Sequence, residues 1–153
     1  MVRVDYEWTS KGDYNEIEDW ATRFLCHLNS SLFGKSQKLR YVNIKLIPKE
    51  EGEVVGWCHG DEEEVWIELS ETLIDDEDYF TETLAHELVH AEQILSGRLE
   101  DLEAFKTMWE GTEYINLRGH LKPEIYKALP WEAEAYKRQS DYTLIEKGVF
   151  FEV

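Results

Sequence analysis

Residue types that mark secreted and membrane proteins are scarce in this sequence. Only two of the 153 residues are cysteine, and Cys26 and Cys58 have no CxxC spacing. Two cysteines do not make a disulfide framework, so we expect both to be reduced and to lie in or near the core. No apolar run approaches membrane-spanning length, and the opening MVRVDYEWTS lacks the hydrophobic segment of a signal peptide. These features predict a cytoplasmic protein without a membrane partner.

Basic residues are also scarce. Lys and Arg number 16 against 33 Asp and Glu, which gives a formal net charge of −17. Such a surface repels phosphate backbones, so the composition predicts no nucleic-acid partner bound in a basic groove. Hydrophobic residues make up 42% of the chain, which is enough to bury a core. Because no repeat or low-complexity linker interrupts the sequence, we expect one domain over residues 1–153.

The hydrophobic periodicity predicts an α+β fold. The predicted strands are 2–8, 40–47, 54–58 and 64–70, where apolar residues alternate. The predicted helices are 13–34, 71–97 and 129–147, with Asp13 as an N-cap and Gly97 as a C-terminal cap. The stretch 99–123 is predicted to be irregular apart from a short strand or turn near FKTMWEG, and the terminal GVFFEV to be a strand. This order indicates a small twisted mixed sheet packed against helices.

The second predicted helix carries the pentapeptide HELVH at residues 86–90. Side chains four apart on a helix point the same way, so His86 and His90 can place two imidazole nitrogens on one metal ion. The apolar stripe of this helix predicts that the motif is not on a fully exposed face; its members are Phe80, Leu84, Leu88, Ala91 and Leu95. A bound Zn²⁺ activates water for hydrolysis, and Glu87 is placed to accept that water's proton. The motif therefore predicts a catalytic zinc site with Glu87 as general base.

A catalytic zinc ion usually needs a third protein ligand. The metzincin pattern is excluded, because Gln93 and Ser96 occupy the positions of its glycine and third histidine. The remaining candidates are Glu132, Glu134 and His120. We favour Glu132, since on the helix opened by Pro130 it shares a face with Ala135 and Tyr136, whereas Glu134 faces Arg138 as a solvent-side pair would.

HELVH followed by WEAEAY resembles the small gluzincin-type metallopeptidases, including the M48-like and ImmA/IrrE-like groups, and is similar to short phage and bacterial metallopeptidases. The resemblance implies a minimal zincin-like domain in which His86, His90 and Glu132 bind one Zn²⁺ and Glu87 is the catalytic base. Tyr136 stands where the ExxA-Asp pattern has Asp, which usually orients a ligand histidine. The SprT-like group is a second resemblance; it uses a third histidine, for which only His120 is available.

The resemblance also implies how a peptide would bind. In zincins the strand before the active-site helix lies at the sheet edge, which assigns that place to EVWIEL at residues 64–69. An extended protein or peptide substrate could add there as a strand. The acidic residues 62–64 beside it suggest a preference for basic peptides. Gln93 is placed to line the cleft or to bond a ligand, and the candidate oxyanion donors are Tyr114, Tyr126, Tyr136 and His120.

Three functions compete on the sequence alone. The first is a zinc-dependent metallopeptidase, the second is a catalytically silent zincin-like binding or regulatory module that keeps its metal, and the third is a structural protein without metal. The presence of Glu87 favours the first, because a site that has lost hydrolysis has no need of its base.

Overall fold

The chain adopts the mixed α+β fold that the periodicity predicts. The computed structural model describes residues 1–9, 12–34, 37–48, 55–115 and 122–145. Its strands are β1 (Val2–Glu7), β2 (Arg40–Ile47), β3 (Gly56–Gly60), β4 (Glu64–Ser70), β5 (Leu99–Asp101), β6 (Lys106–Trp109) and β7 (Thr112–Ile115). Its helices are α1 (Asn15–Leu28), α2 (Glu77–Leu95), α3 (Pro123–Ala128) and α4 (Pro130–Gln139). Within the described ranges, no helix combines the length and apolar character needed to cross a membrane.

A four-stranded mixed sheet forms the base of the molecule. Its strand order is β1-β2-β4-β3, with β1, β2 and β4 parallel and β3 antiparallel to β4. The register pairs Val42 with Val65 and Ile44 with Ile67, so the buried side chains of both strands share one face. That face packs in one core with the apolar stripes of α1 and α2.

The prediction that residues 64–69 form the sheet edge is wrong. Strand β4 is internal, with β2 on one side and β3 on the other, and β3 is the edge strand on that side of the sheet. The physical reason is the number of apolar side chains that each strand can bury. Strand β4 alternates Val65, Ile67 and Leu69, all fully buried, whereas β3 has the sequence GWCHG and carries two glycines.

Helix α2 has the buried stripe and the C-terminal glycine that its sequence predicts, but it begins at Glu77, six residues after the predicted start, because Glu71–Asp75 form a separate 3-10 helix. Asp76 caps the first turn, since its carboxylate accepts from the backbone N–H of Tyr79 at 3.1 Å. Gly97 follows the last turn with φ +79°, a conformation that favours glycine. The five predicted stripe residues are all buried. Helix α1 begins at Asn15, two residues after the predicted N-cap, although Asp13 still accepts from the backbone N–H of Asn15 at 3.0 Å.

The stretch after α2 is more ordered than the sequence predicts. The short strand expected near FKTMWEG is confirmed as β6, but β5 and β7 flank it in an antiparallel three-stranded sheet. Strands of three or four residues are too short to show an alternating pattern. The predicted strand in GVFFEV and the candidate ligand His120 lie outside the described residues.

Candidate metal centre

Three side chains from two helices converge on one point. The nearest ligating atoms of His86, His90 and Glu132 all lie within 4.8 Å of one another, and they form the one such cluster found in the described part of the chain. Each carboxylate oxygen of Glu132 faces one imidazole: Oε1 is 3.2 Å from His86 Nε2, and Oε2 is 3.0 Å from His90 Nε2. The structure thus brings together the three side chains that the sequence predicts as ligands.

Local structure explains why Glu132 reaches this point. Pro130 occupies the first turn of α4, and its fixed φ suits that place. Glu132, in the same turn, is only 3% exposed, and Ala135 is fully buried three residues further on. The small Ala135 side chain lets α4 pack closely against α2, which brings the first turn of α4 over the two histidines.

Glu134 points to a different set of partners. Its carboxylate accepts from Arg98 through Nη1 at 2.9 Å and Nη2 at 2.7 Å, and from Gln93 Nε2 at 3.2 Å. The expected pairing with Arg138 is wrong, since Arg138 donates instead to the backbone oxygen of Leu28 at 3.2 Å. The hydrogen bond with Arg98 lowers the pKa of Glu134. Two positions along a helix separate these carboxylates by about 200°, so only one of Glu132 and Glu134 can face the histidines.

Glu87 lies beside the cluster and is 7% exposed. Burial raises the pKa of its carboxyl group, against the opposing effect of His90 and His86. The edge strand passes close to this side chain at Gly56. A Cβ built on Gly56 would lie 3.3 Å from Glu87 Cγ and 3.2 Å from Thr83 Cγ2. Glycine at this position therefore lets the strand backbone approach the predicted catalytic carboxylate.

The electrostatics of the cluster suit a cation. Burial by itself would raise the pKa of Glu132, but hydrogen bonds from His86 and His90 outweigh it and lower the pKa to about 2. Burial would likewise lower the pKa of His90, but the hydrogen bond to Glu132 and the charges of Glu132 and Glu87 raise it to about 9. Two buried carboxylates thus draw positive charge to one place. Two imidazole nitrogens with one carboxylate are a donor set that zinc uses, so the residues present fit the ion.

An open groove runs across the cluster. Two cavities of about 480 and 450 Å³ share the lining residues Gly56, His86, Glu87, Tyr126 and Glu132. The first cavity continues along β3 toward β5, and the second continues toward Tyr79 and Tyr136. Because the cluster lies where the cavities meet, a bound chain could extend on both sides of it.

The structure separates the candidate oxyanion donors. Tyr126 lines both cavities, and burial together with the nearby charge of Glu132 raises the pKa of its hydroxyl. The ring of Tyr136 packs against His86, with centroids 4.7 Å apart. Tyr114 packs edge-on against Trp131 at 5.5 Å and lines neither cavity. Of the three tyrosines, Tyr126 is therefore the one that lines both cavities where they meet at the cluster.

Two glutamine side chains contact the Nδ1 atoms of the histidines, which are the ring nitrogens that do not face Glu132. Gln93 Oε1 is 2.8 Å from His90 Nδ1, as its position one turn past His90 suggests. Gln139 Oε1 is 2.7 Å from His86 Nδ1, a contact that the sequence reasoning missed. A signal for it exists: Gln139 lies seven residues past Glu132, so both project from the same side of α4.

Comparison with known protein families agrees with this geometry. Residues 21–112, which contain HELVH, match the SprT-like family. The chain belongs to the SprT-like family. This family is associated with zinc metalloprotease-like proteins, which agrees with the HELVH helix, although the cluster has Glu132 where the SprT-like resemblance implies a third histidine. The more specific resemblance to the M48-like and ImmA/IrrE-like groups is not confirmed, and the SprT-like match ends before Glu132 and His120. No curated protein and no solved structure matches the chain significantly.

Proposed function

We propose that this protein is a zinc-dependent metallopeptidase that hydrolyses a peptide bond in a protein or peptide substrate. The observation that carries the proposal is the convergence of His86, His90 and Glu132 in an open groove, with the buried carboxylate of Glu87 beside them. The match of the HELVH segment to the SprT-like family supports the same function.

Each side chain of the cluster has a role in this proposal. His86, His90 and Glu132 would hold one Zn²⁺, which when bound polarises a carbonyl group and makes water acidic. Glu87 accepts the proton of the attacking water and returns it to the leaving amine. Because Glu87 is buried against β3, its carboxylate is held next to the groove and away from bulk water.

We further propose that an extended peptide binds along β3. Among the strands that the structure describes, β3 pairs with β4 alone, and four of its residues line the first cavity: Gly56, Trp57, Cys58 and Gly60. Main-chain hydrogen bonds to a sheet edge hold a peptide in extended form largely irrespective of its side chains. The large excess of acidic residues supports a peptide rather than a nucleic acid as the partner. The two free cysteines, Cys26 and Cys58, support a reducing, cytoplasmic location.

A screen of denatured proteins and peptide libraries tests the proposed activity. We expect cleavage that stops when a chelator removes the metal and returns when Zn²⁺ is added back. Cleavage that persists at the same rate in excess chelator would contradict zinc-dependent hydrolysis and point to a contaminating protease.

The acidic residues that line the groove are a different set from the predicted residues 62–64, and these would give the preference for basic substrates. Of residues 62–64, none lines either cavity, and Glu63 instead pairs with Lys38 at 2.7 Å. Asp101 lines the first cavity and Glu82 the second, and neither cavity has a described Lys or Arg in its lining. We therefore propose that the groove accepts a basic side chain near Asp101.

Asp101→Asn tests this preference. Removing one charge at the groove should lower the selectivity for Lys or Arg over Gln by about fivefold, equivalent to about 1 kcal/mol. Cleavage of a library randomised around the scissile bond measures the ratio, with Glu63→Gln as the matched control outside the groove. An unchanged ratio in Asp101→Asn would remove Asp101 from the account of specificity.

Tyr126→Phe tests a hydroxyl in the groove. We propose that Tyr126 donates a hydrogen bond to the oxyanion that forms on the substrate carbonyl, and that its loss lowers kcat about 10²-fold. Steady-state kinetics should show this change in kcat with zinc affinity kept within a few fold. Tyr136→Phe is the matched control, because it keeps the ring that packs on His86. If Tyr126→Phe instead weakens zinc binding and leaves kcat unchanged, Tyr126 helps to position Glu132 and does not stabilise the oxyanion.

A further inference from the structure

We propose that Gln93 and Gln139 are positioning residues that fix both histidines with hydrogen on Nδ1, so that each Nε2 faces the metal position. This inference rests on the proposed zinc site, and it assigns a role to residues outside the ligand set. The hydrogen-bond partners of each glutamine amide determine which way it points.

The orientation of Gln139 follows from its outer partner. Its Nε2 lies 3.0 Å from Glu82 Oε1, and an ionised carboxylate only accepts hydrogen bonds. The amide nitrogen must therefore face Glu82, which turns Oε1 toward His86. Since that oxygen also only accepts, His86 Nδ1 at 2.7 Å must carry the hydrogen and donate it.

The orientation of the Gln93 amide follows in the same way, and two outer partners determine it instead of one. Its side chain is fully buried, and its Nε2 donates to the backbone oxygen of Trp131 at 3.0 Å and to Glu134 Oε1 at 3.2 Å. Both partners are acceptors, so Oε1 must face His90 Nδ1, 2.8 Å away. His90 Nδ1 is therefore also a donor.

The outer partner of Gln93 is itself held in place. Glu134 receives two hydrogen bonds from Arg98, which also donates to Glu92. Glu92 in turn accepts from Asn29 at the end of α1. This network ties the orientation of the His90 ring to α1, α2 and α4 together, whereas Gln139 depends on Glu82 alone in the contacts described.

The glutamine contacts determine which nitrogen of each histidine faces the metal position. With Nδ1 committed to a glutamine, Nε2 of each ring lies 3.0–3.2 Å from the carboxylate of Glu132, and it is the nitrogen that would give up its hydrogen to bind the ion. A ring flipped about its Cβ–Cγ bond would lose the glutamine hydrogen bond and point carbon toward the ion. Holding the ring orientation before the metal arrives lowers the cost of binding it. The glutamines thereby supply what the resemblance assigns to an Asp at the place of Tyr136.

The test combines nitrogen NMR of the histidine side chains with zinc affinity. In the metal-free wild type, we expect slowly exchanging Nδ1–H signals from both His86 and His90; with Zn²⁺, only the Nε2 resonances should shift to ligand values. Gln139→Met removes the acceptor at similar volume, so we expect it to lose the slow His86 signal and to weaken zinc binding by about 10- to 100-fold. Gln93→Leu should do the same at His90.

A reciprocal exchange supplies the rescue. The double variant Gln139→Glu/Glu82→Gln keeps an acceptor toward His86 Nδ1 and turns the outer partner into a donor, so it should recover most of the zinc affinity and the slow signal. Gln37→Met, an exposed glutamine away from the site, is the matched control. Circular dichroism checks folding; if Gln93→Leu does not fold, the Gln139 variants decide the outcome.

The outcomes separate this inference from the proposed function. Zinc bound through Nδ1 in the wild type, or undiminished affinity in folded Gln139→Met, would overturn the role of the glutamines while leaving the peptidase intact. A wild type that binds no zinc but shows both Nδ1–H signals would overturn the metal site and support the fixed ring orientation.

Discussion

Glu87→Gln should lower kcat/KM by about 10²- to 10⁴-fold, the range that a positioned general base contributes. The amide has nearly the shape of the carboxylate, but it cannot accept the proton of the attacking water. The ligands His86, His90 and Glu132 are unchanged, so the variant should bind Zn²⁺ at the same stoichiometry. Initial rates on the best substrate of the peptide screen, together with metal analysis of the same preparation, measure both quantities.

The control for Glu87→Gln is Asp78→Asn, which removes a charge from an exposed position in the first turn of the same helix. This variant should keep wild-type rates and zinc content. If Glu87→Gln retains the wild-type rate while binding one equivalent of zinc, the assignment of Glu87 as base fails. If neither wild type nor variant cleaves anything while both bind zinc, the protein is a silent metal-binding module.

Glu132→Ala should weaken zinc binding by several orders of magnitude. It removes the one ligand that α4 supplies and leaves only two imidazoles, which is too few for a stable catalytic site. Thermal unfolding with and without zinc offers a sensitive measurement, because a ligand at 1,000 times its Kd adds about 4 kcal/mol of stability. The wild type should show a clear rise in Tm on zinc addition, and Glu132→Ala should show almost none.

Two variants accompany Glu132→Ala. Glu124→Gln, at an exposed position on α3, should retain the zinc-dependent rise in Tm. His86→Ala should lose it as Glu132→Ala does, since it removes a ligand from the other helix. A Glu132→Ala protein with wild-type zinc affinity would show that the third ligand comes from elsewhere, His120 being the candidate outside the described residues.

The ligand set was predictable because each part depends on local rules. HELVH needs only the geometry of one helix, and a long apolar stripe that ends at Gly97 indicates that helix. Glu132 was harder to choose, but Pro130 fixes where α4 begins and therefore which of two carboxylates faces inward. For both helices, the periodicity of the sequence indicates which side chains point toward the site.

The surroundings of the site depend on contacts between distant parts of the chain. Strand β4 is internal because its apolar side chains pack beside those of β2, a pairing between parts of the chain that are distant in sequence. The same holds for Glu134, whose partner Arg98 lies beyond the end of α2, whereas the prediction paired it with Arg138 on the same helix. Gln139 was missed because an amide has no charge to mark it, although its spacing from Glu132 puts both on the same side of α4.

The most direct test of the central claim is anomalous scattering from crystals of the zinc-loaded protein, measured on both sides of the zinc absorption edge. The account predicts one strong peak at about 2.0–2.1 Å from the Nε2 atoms of His86 and His90 and about 2.0–2.2 Å from the carboxylate of Glu132. A fully loaded crystal with no peak there, or with its peak bound by another set of side chains, would contradict the account.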